Sequence, residues 1–283
     1  MCGIFGAIGR KINSGVIRAL AIANRERGVD GLGFFNNTGK HIKLADDPLY
    51  CLTDPAIDDF IERSCLKGWF IAGHTRAATC GSIVSRNAHP FRFGRIIGSH
   101  NGIVQYPRDK KYHVDSEYIF DRLNQHGGDY QAALEEVIGY WAISWFDGEN
   151  FYLQAYKNKL WIGRKNGVWY YSSDLEHLTA CAGNLADLDC IESGRTIRFD
   201  MKTQKYKECP AFQQTKINDN LARREEDWEE WENWSDLQSV ASGEEYIKEQ
   251  ELAAEEAWQK VSTWEMYVER DNEDWRFGRQ YGK

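Results

Sequence analysis

Long hydrophobic runs are missing from this 283-residue sequence. No stretch approaches the roughly 18 apolar residues that a membrane-spanning helix needs, so we expect neither a membrane span nor a membrane partner. The seven cysteines are scattered along the chain and include no CxxC pair. This usage argues against a zinc site and against a disulfide framework, and it is typical of a protein in a reducing cytoplasm.

Glycine-rich cofactor motifs are missing as well. No GxGxxG or GxxxxGK loop follows a predicted strand, and the chain has no SGGxDS adenylation loop. We therefore expect no bound cofactor. The predicted strands and helices also alternate irregularly, so a doubly wound parallel sheet fits the sequence poorly.

Charge divides the chain into two parts. The net charge is −8, but residues 211–283 carry 19 Asp and Glu against nine Lys and Arg, which leaves +2 on residues 1–210. The C-terminal part also holds six of the eleven tryptophans. We place a domain boundary at Pro210 and predict that residues 211–283 form an acidic, tryptophan-rich tail, helical or partly disordered and too short for a second catalytic domain. No nucleic-acid partner is predicted.

Periodicity and chain breakers give a coarse map of residues 1–210. Strands are predicted over residues 2–8, 31–37, 68–76, 94–104 and on both sides of the turn at 147–150, and helices over 14–25, 54–65, 115–125 and a segment ending near Ile138. Many hairpin-like pairs with a few helices between them predict an α+β fold, with layered antiparallel sheets packed against helices.

The N-terminal stretch MCGIFGAIG places a cysteine directly after the initiator methionine. The stretch is too short and too interrupted for a signal-peptide core, and no basic residue precedes it. If Met1 is removed, Cys2 carries both a thiol and a free α-amino group. One residue would then supply a nucleophile and a base.

Five polar motifs lie at predicted strand ends or helix starts, where functional sites are often built. They are RGVDGLG at 27–33, GHTRAATCG at 73–81, NAHPF at 87–91, SHNGIV at 99–104 and VDSE at 114–117. Singly, each has a structural explanation. Arg27 and Asp30 could form an ion pair, Asn101 and Gly102 a tight turn, and Asp115 a helix N-cap.

Taken together with Cys2 and in this order, the motifs resemble the class II glutamine amidotransferases. These are the N-terminal-nucleophile glutaminase domains of glucosamine-6-phosphate synthase, amidophosphoribosyltransferase and asparagine synthetase B. The resemblance covers about residues 1–208. It implies a four-layer αββα sandwich of two antiparallel sheets, which agrees with the map of predicted strands.

The resemblance also implies roles for individual residues. Cys2 would be the nucleophile, with Asn101 and Gly102 donating to the oxyanion. Arg76 would bind the glutamine carboxylate and Asp115 its ammonium group, and Thr79 would add a hydroxyl contact to the substrate. Supporting roles fall to Arg27, Asp30 and His74. The family uses no metal here, so His74, His89 and His100 are expected to be hydrogen-bonded structural residues.

The predicted activity is hydrolysis of glutamine to glutamate and ammonia through a thioester on Cys2. Ammonia would pass to a separate acceptor enzyme, which could dock on the acidic tail; a tail that packs on its own domain is the alternative. Two other functions stay open. One is a catalytically idle glutamine-binding or scaffold protein that acts through its tail, and the other is an N-terminal-nucleophile hydrolase of another γ-glutamyl amide.

Overall fold

A computed structural model describes residues 1–79, 81–107 and 111–214 of the chain. The predicted acidic tail lies outside the described residues except for its first four positions, 211–214. None of the described helices is long and apolar enough to cross a membrane. The six cysteines in the described part of the chain are unpaired thiols.

Thirteen strands and six α-helices make up the described fold. The strands are β1 Gly3–Ile8, β2 Leu32–Asn36, β3 His41–Leu44, β4 Phe70–Thr75, β5 Phe91–Phe93, β6 Ile96–Gln105, β7 Ile138–Phe146, β8 Asn150–Tyr156, β9 Leu160–Lys165, β10 Val168–Ser172, β11 Ala186–Ile191, β12 Thr196–Asp200 and β13 Tyr206–Cys209. The helices are α1 Ser14–Ala23, α2 Pro48–Cys51, α3 Pro55–Lys67, α4 Asp115–Gln125, α5 Tyr130–Leu134 and α6 Leu175–Ala182. Short 3₁₀ turns cover Asn24–Arg27 and Ser85–Asn87.

The strands form two antiparallel sheets. The first sheet has the order β11-β9-β10-β1-β4-β2-β3, and the second has the order β13-β12-β8-β7-β6-β5. Strand β1 is central in the first sheet, where Gly3 lies opposite Thr75 of β4 and Phe5 lies opposite Ser172 of β10. Cys2, the residue before β1, therefore lies at the N-terminal end of a strand that is paired on both sides.

Three apolar clusters define the layers. The first lies between the sheets and joins β1 and β4 to β6, β7 and β8 through aromatic contacts, such as Phe70 stacked on Phe151 with ring centroids 4.3 Å apart. The second packs α1, α3 and α6 on the outer face of the first sheet, and the third packs α4 and α5 on the outer face of the second. Two packed sheets with helices outside each confirm the predicted αββα sandwich.

The helices begin where capping chemistry allows. Asn13 accepts from the main-chain N–H groups of Gly15 and Val16 before α1, and Asp54 accepts from that of Ala56 before α3, whose first residue is Pro55. The helix predicted over 14–25 ends earlier, at Ala23. Buried Asn24 donates from its side chain to Leu20 O and begins the 3₁₀ turn that follows α1.

One prediction in this part of the chain is wrong. The helix expected to end near Ile138 is only the short α5, and Ile138 begins β7. Pairing decides the outcome, because Ile138–Phe146 aligns with nearly the whole of β6, from Gln105 back to Ile97. The sequence map also missed β3, β5 and β11, which lie at sheet edges.

Packing continues past the predicted boundary at Pro210. Phe212 is 1% exposed, and its ring lies 5.6 Å from Trp141 and 5.2 Å from Tyr156, centroid to centroid. Its main-chain N–H donates to Gly194 O over 2.8 Å. Residues up to Gln214 therefore pack on the sandwich, while the division into a domain and a tail stays a prediction.

Candidate active site

Cys2 is fixed from two sides at the start of β1. The main-chain N–H of Ala77 donates to its sulfur over 3.3 Å, and the thiol lies 3.5 Å from Ala77 O. Arg27 Nε donates to Cys2 O over 3.1 Å. The residue is half-buried, and it lines the pocket described below.

The pKa of the Cys2 thiol lies above its ordinary value. Burial raises its pKa, and Asp115 adds to this effect, while the hydrogen bond from Ala77, the N-terminal ammonium and Arg76 oppose it. Because the net effect is upward, the thiol is protonated at neutral pH. Nucleophilic attack from this position needs a base to remove the proton.

Asp30 and Arg27 support the site through different partners, so the ion pair between them that the sequence allowed does not form. Asp30 Oδ2 accepts from Ala78 N–H at 2.7 Å, and Asp30 N–H donates to Arg76 O at 2.8 Å. Arg27, besides holding Cys2 O, lies 3.7 Å from the carboxylate of Asp174. Asp30 thus fixes the segment after β4, and Arg27 fixes the start of β1.

A small pocket brings most of the predicted site residues together. Its lining includes Cys2, Arg76, Ala77, Thr79, Asn87, His89, His100, Gly102, Val114, Asp115 and Ser116. Arg76 is only 3% exposed and donates from Nη1 to Ser82 O over 3.1 Å. Thr79 is exposed at the pocket rim. A buried arginine and a thiol that share one pocket can bind an anionic group beside a nucleophile.

Asp115 is the first residue of α4 and is 8% exposed. Its Oδ2 accepts from Val104 N–H at 3.2 Å, and its Oδ1 accepts from Ser116 N–H at 2.9 Å. Val114 occupies the N-cap position without a side-chain cap bond, so capping is not what places Asp115 here. Asp115 and Arg76 line the same pocket, so the pocket wall carries one carboxylate and one guanidinium group.

Asn101 and Gly102 lie inside β6, so the tight turn that their sequence suggested is not formed. Gly102 has φ +145°, and a Cβ there would lie 2.2 Å from Tyr140 O, so only glycine fits. Gly102 lines the pocket, whereas Asn101 does not. Asn101 is 3% exposed, and its Nδ2 has no hydrogen-bond partner among the described residues.

Three buried histidines lie beside the pocket. His74 Nε2 lies 3.0 Å from His100 O, and His100 Nδ1 lies 2.9 Å from Ser116 Oγ. The rings of His74 and His89 are 3.8 Å apart, centroid to centroid. Burial lowers the pKa of His74 to about 3 and also lowers the pKa values of His89 and His100, so all three rings are neutral at pH 7.

His89 departs from its expected structural role. Within the described part of the chain, neither of its ring nitrogens has a hydrogen-bond partner, although the residue is 4% exposed. Lys43 of β3 positions this segment, because Nζ donates to Ala88 O at 2.7 Å and to Pro90 O at 3.0 Å. The described residues contain no cluster of three His, Cys, Asp or Glu able to hold a metal ion.

The NAHPF motif was recognisable in the sequence, but Asn87 had no predicted role, and Ser116 was not predicted at the site. Both line the pocket. The signal was available in part, since polar residues at strand ends and helix starts are typical of functional sites. The sequence did not predict the contacts of Lys43 with Ala88 O and Pro90 O, on either side of His89, because Lys43 lies on a strand that was not predicted.

No known protein-family profile matches the chain. Curated proteins do match. The glutamine–fructose-6-phosphate aminotransferase of Bradyrhizobium diazoefficiens is 28% identical over 197 residues, which cover 62% of this chain and 32% of that protein. The enzyme of the same name from Bartonella quintana is 32% identical over 124 residues, covering 43% of this chain and 20% of that protein. The chain thus matches about a third or less of the length of these relatives.

Solved structures share the fold. A glutamine phosphoribosylpyrophosphate amidotransferase from Bacillus subtilis superposes with a TM-score of 0.57 at 18% identity, over 73% of this chain and 49% of that one. A structure described as the allosteric regulatory enzyme of purine biosynthesis gives a TM-score of 0.59, also at 18% identity, over 75% and 50%. The chain is thus similar in sequence to part of these aminotransferases and shares the fold of these amidotransferase structures, in agreement with the resemblance to class II glutamine amidotransferases.

Proposed function

We propose that this domain hydrolyses the side-chain amide of glutamine to glutamate and ammonia through a thioester on Cys2. One observation carries the proposal. The thiol of Cys2, the guanidinium of Arg76 and the carboxylate of Asp115 line the same pocket. An enzyme that hydrolyses the side-chain amide of a free amino acid needs a nucleophile, a site for the α-carboxylate and a site for the α-ammonium group.

The base in this reaction is the α-amine that Cys2 acquires when Met1 is removed. Met1 is 76% exposed, so its removal costs little packing. An α-amine has a reference pKa of about 7.7 to 8.0, near working pH, and can take the proton from the thiol. The thiolate then attacks the amide carbon. The protonated amine returns its proton to the departing nitrogen, which leaves as ammonia, and water hydrolyses the thioester to release glutamate.

The oxyanion that forms during attack needs donors in place beforehand. Gly102 lines the pocket with its main chain, and Asn101 Nδ2 is buried without a partner among the described residues. A buried donor left unpaired costs about 1–3 kcal/mol in the resting protein. Asn101 does not line the pocket in the resting protein, so its amide would reach the oxyanion only when glutamine is bound. An oxyanion that accepts from it would then recover that cost in the transition state, which is where catalysis gains from binding.

Arg76 and Asp115 set the specificity for a free amino acid. Arg76 can pair with the α-carboxylate, with Thr79 at the rim as an additional hydroxyl donor, and Asp115 can pair with the α-ammonium. A peptide or a simple amide lacks one or both charges. The domain should therefore prefer glutamine over amides that do not carry a free amino-acid end.

Ammonia and glutamate release from the purified full-length protein tests the proposal. Substrates are glutamine, asparagine and γ-glutamyl amides with other leaving groups. Release from glutamine above the others supports the proposal. Faster release from another γ-glutamyl amide would favour the alternative hydrolase, and no release from any substrate by protein lacking Met1 would favour an idle glutamine-binding or scaffold protein.

The fate of the ammonia is a further part of the proposal. The relatives are named as aminotransferases, but the chain matches only a third or less of their length. Ammonia would pass to a separate acceptor protein in the cytoplasm, and the acidic residues 211–283 would provide its docking surface by charge attraction. Proteins that co-purify with the full-length chain but not with a chain ending at Gln214 would support this role.

A further inference from the structure

We propose that Asn158 is a positioning residue that holds the Asn101–Gly102 peptide in the orientation needed for oxyanion binding. The inference rests on the proposed glutaminase function. Asn158 belongs to no motif of the sequence analysis, and it does not line the pocket that contains Cys2. Its role follows from one hydrogen bond and from the rigidity of a peptide group.

The chain crosses from the second sheet to the first at Asn158. Strand β8 ends at Tyr156, which lies opposite Trp141 of β7, and Trp141 lies opposite Gly102 of β6. Strand β9 of the first sheet begins at Leu160. The crossover therefore passes at the level of Gly102 along the second sheet, which brings a side chain of residues 157–159 within reach of β6.

Asn158 uses both ends of its side-chain amide. Its Nδ2 donates to the main-chain oxygen of Asn101 over 3.1 Å. Its Oδ1 accepts from the main-chain N–H of Lys159 over 2.8 Å. The second bond fixes which end of the amide faces Asn101, because only the NH₂ end can donate to a carbonyl oxygen.

The oxygen that Asn158 holds belongs to the same peptide group as the Gly102 N–H. A peptide group is planar and trans, so its C=O and N–H point in opposite directions. Anchoring Asn101 O on one side therefore directs Gly102 N–H to the other. Gly102 itself has φ +145°, a backbone region that favours glycine, and Asn158 adds a side-chain contact to this peptide beside the pairing with β7.

Few other strand contacts fix this part of β6. In the described fold, β5 pairs with β6 only from Phe93–Ile96 to Phe91–Gly98, so β7 alone continues beside Asn101 and Gly102. A hydrogen bond to a carbonyl oxygen also polarises the N–H of the same peptide, which strengthens it as a donor. Asn158 thus serves the orientation and the strength of one oxyanion contact.

The surroundings of Asn158 permit a clean substitution. The residue is half-buried and borders a cavity of about 540 Å³, which it shares with Tyr156, Glu192 and Phe212. Because one side of the amide already faces open space, shortening it removes little core packing. We therefore expect such a variant to keep the fold, which its Tm checks.

The test compares Asn158→Asp and Asn158→Ala in the full-length protein. Aspartate keeps the shape and the acceptor for Lys159 N–H, but it turns an oxygen toward Asn101 O and repels it. Loss of an oxyanion donor costs roughly 10²–10³ in turnover. For partial misorientation we expect kcat to fall about 10-fold in the alanine variant and further in the aspartate variant, with KM for glutamine within about 2-fold.

Asn166→Asp is the matched control. Asn166 lies exposed at the β9–β10 turn with φ +52°, a conformation that both asparagine and aspartate adopt, so the same chemical change there should leave kcat unaltered. Tm is measured for every variant.

Each outcome decides the inference. A fall in kcat with unchanged KM and Tm supports it. Near-normal kcat in both Asn158 variants, or a fall that follows a lowered Tm or a raised KM, overturns it while leaving the glutaminase function standing. Protein without Met1 that never hydrolyses glutamine overturns the proposed function and this inference with it.

Discussion

Ala77 donates its main-chain N–H to the sulfur of Cys2 over 3.3 Å, although 75 positions separate the two residues in the chain. The contact exists because β1 and β4 are neighbours, which places the residue before β1 beside the segment after β4. A donor directed at the sulfur stabilises a thiolate once it forms. Burial nevertheless keeps the pKa of the thiol raised, so the thiolate appears only when a base is present.

Activity should require the loss of Met1. In a chain that keeps Met1, the free amine belongs to the wrong residue and cannot act as the base beside Cys2 Sγ. Intact-mass measurement of active protein should therefore show Cys2 as the first residue. Cys2→Ala should abolish turnover and leave Tm unchanged. The control variant Cys209→Ala should keep normal turnover. Full activity in protein that still carries Met1 would contradict the mechanism.

Arg76→Ala and Asp115→Ala should each weaken the use of glutamine. A charge-assisted contact is worth about 1.5–3 kcal/mol, so kcat/KM should fall by roughly 10- to 100-fold, mostly through KM. Arg63→Ala serves as the control, since that side chain is 74% exposed on α3. Tm separates binding from folding, because Arg76 also bonds Ser82 O and Asp115 bonds Val104 N–H. Normal kcat/KM in both variants would mean that the substrate lies elsewhere.

Gly102→Ala should disrupt the site far more than the same change at Gly148. Both residues have positive φ, +145° and +96°, so alanine is strained at each. At Gly102 the new Cβ would also lie 2.2 Å from Tyr140 O, whereas at Gly148 nothing lies within 4 Å. Gly148→Ala should cost about 1 kcal/mol of stability with normal activity. Equal effects of Gly102→Ala and Gly148→Ala on activity would contradict a role for the β6 backbone at Gly102 in the active site.

Stability should fall on acidification, and His74 should account for part of the fall. Burial lowers its pKa from 6.5 to about 3. The unfolded chain therefore binds more protons than the folded one within this window, and stability present above pH 6.5 is lost as the pH drops toward 3. For His74 this loss amounts to about 2 kcal/mol between pH 6.5 and pH 5. Denaturant titrations at pH 7 and 5 should show a smaller loss in His74→Gln, and an identical loss would be evidence against the assignment.

Truncation should distinguish Gln214 from Pro210 as an end point. A chain ending at Gln214 keeps Phe212 between Trp141 and Tyr156 and should fold with normal glutaminase activity. A chain ending at Pro210 loses that ring, and Phe212→Ala in the full chain should lower the free energy of unfolding by about 3–5 kcal/mol. Urea melts check both. Unfolding of the longer truncation would show that later residues belong to the core.

Much of the site was readable from short motifs because their positions depend on local structure. Arg76 follows β4 and Gly102 lies within β6, two strands that the sequence map predicted, and Asp115 begins a helix whose predicted bounds match the observed ones. Once β1, β4 and β6 are assigned to two packed sheets, Cys2 and these residues meet by topology. The layer order itself came from the family resemblance rather than from periodicity.

The features that were missed depend on contacts between distant segments. Strand β3 is short and lies at a sheet edge, so its sequence did not predict that Lys43 would donate a hydrogen bond to Ala88 O, next to His89. Asn158 lies between two strands of different sheets, and its bond to Asn101 arises only when the crossover is built. Phe212 lies beyond the change in charge, which marked a boundary in composition but not in packing.

The position of Cys2 at the head of the central strand β1 has a practical consequence for laboratory work. A purification tag or a single leftover residue at that end would leave both sheets and every helix intact, and Arg27 could still hold Cys2 O. Such a protein should melt and elute like the native one and yet lack the amine that acts as the base in the proposed mechanism. Assays of this protein therefore need a native N-terminus, with any affinity handle placed at the other end of the chain.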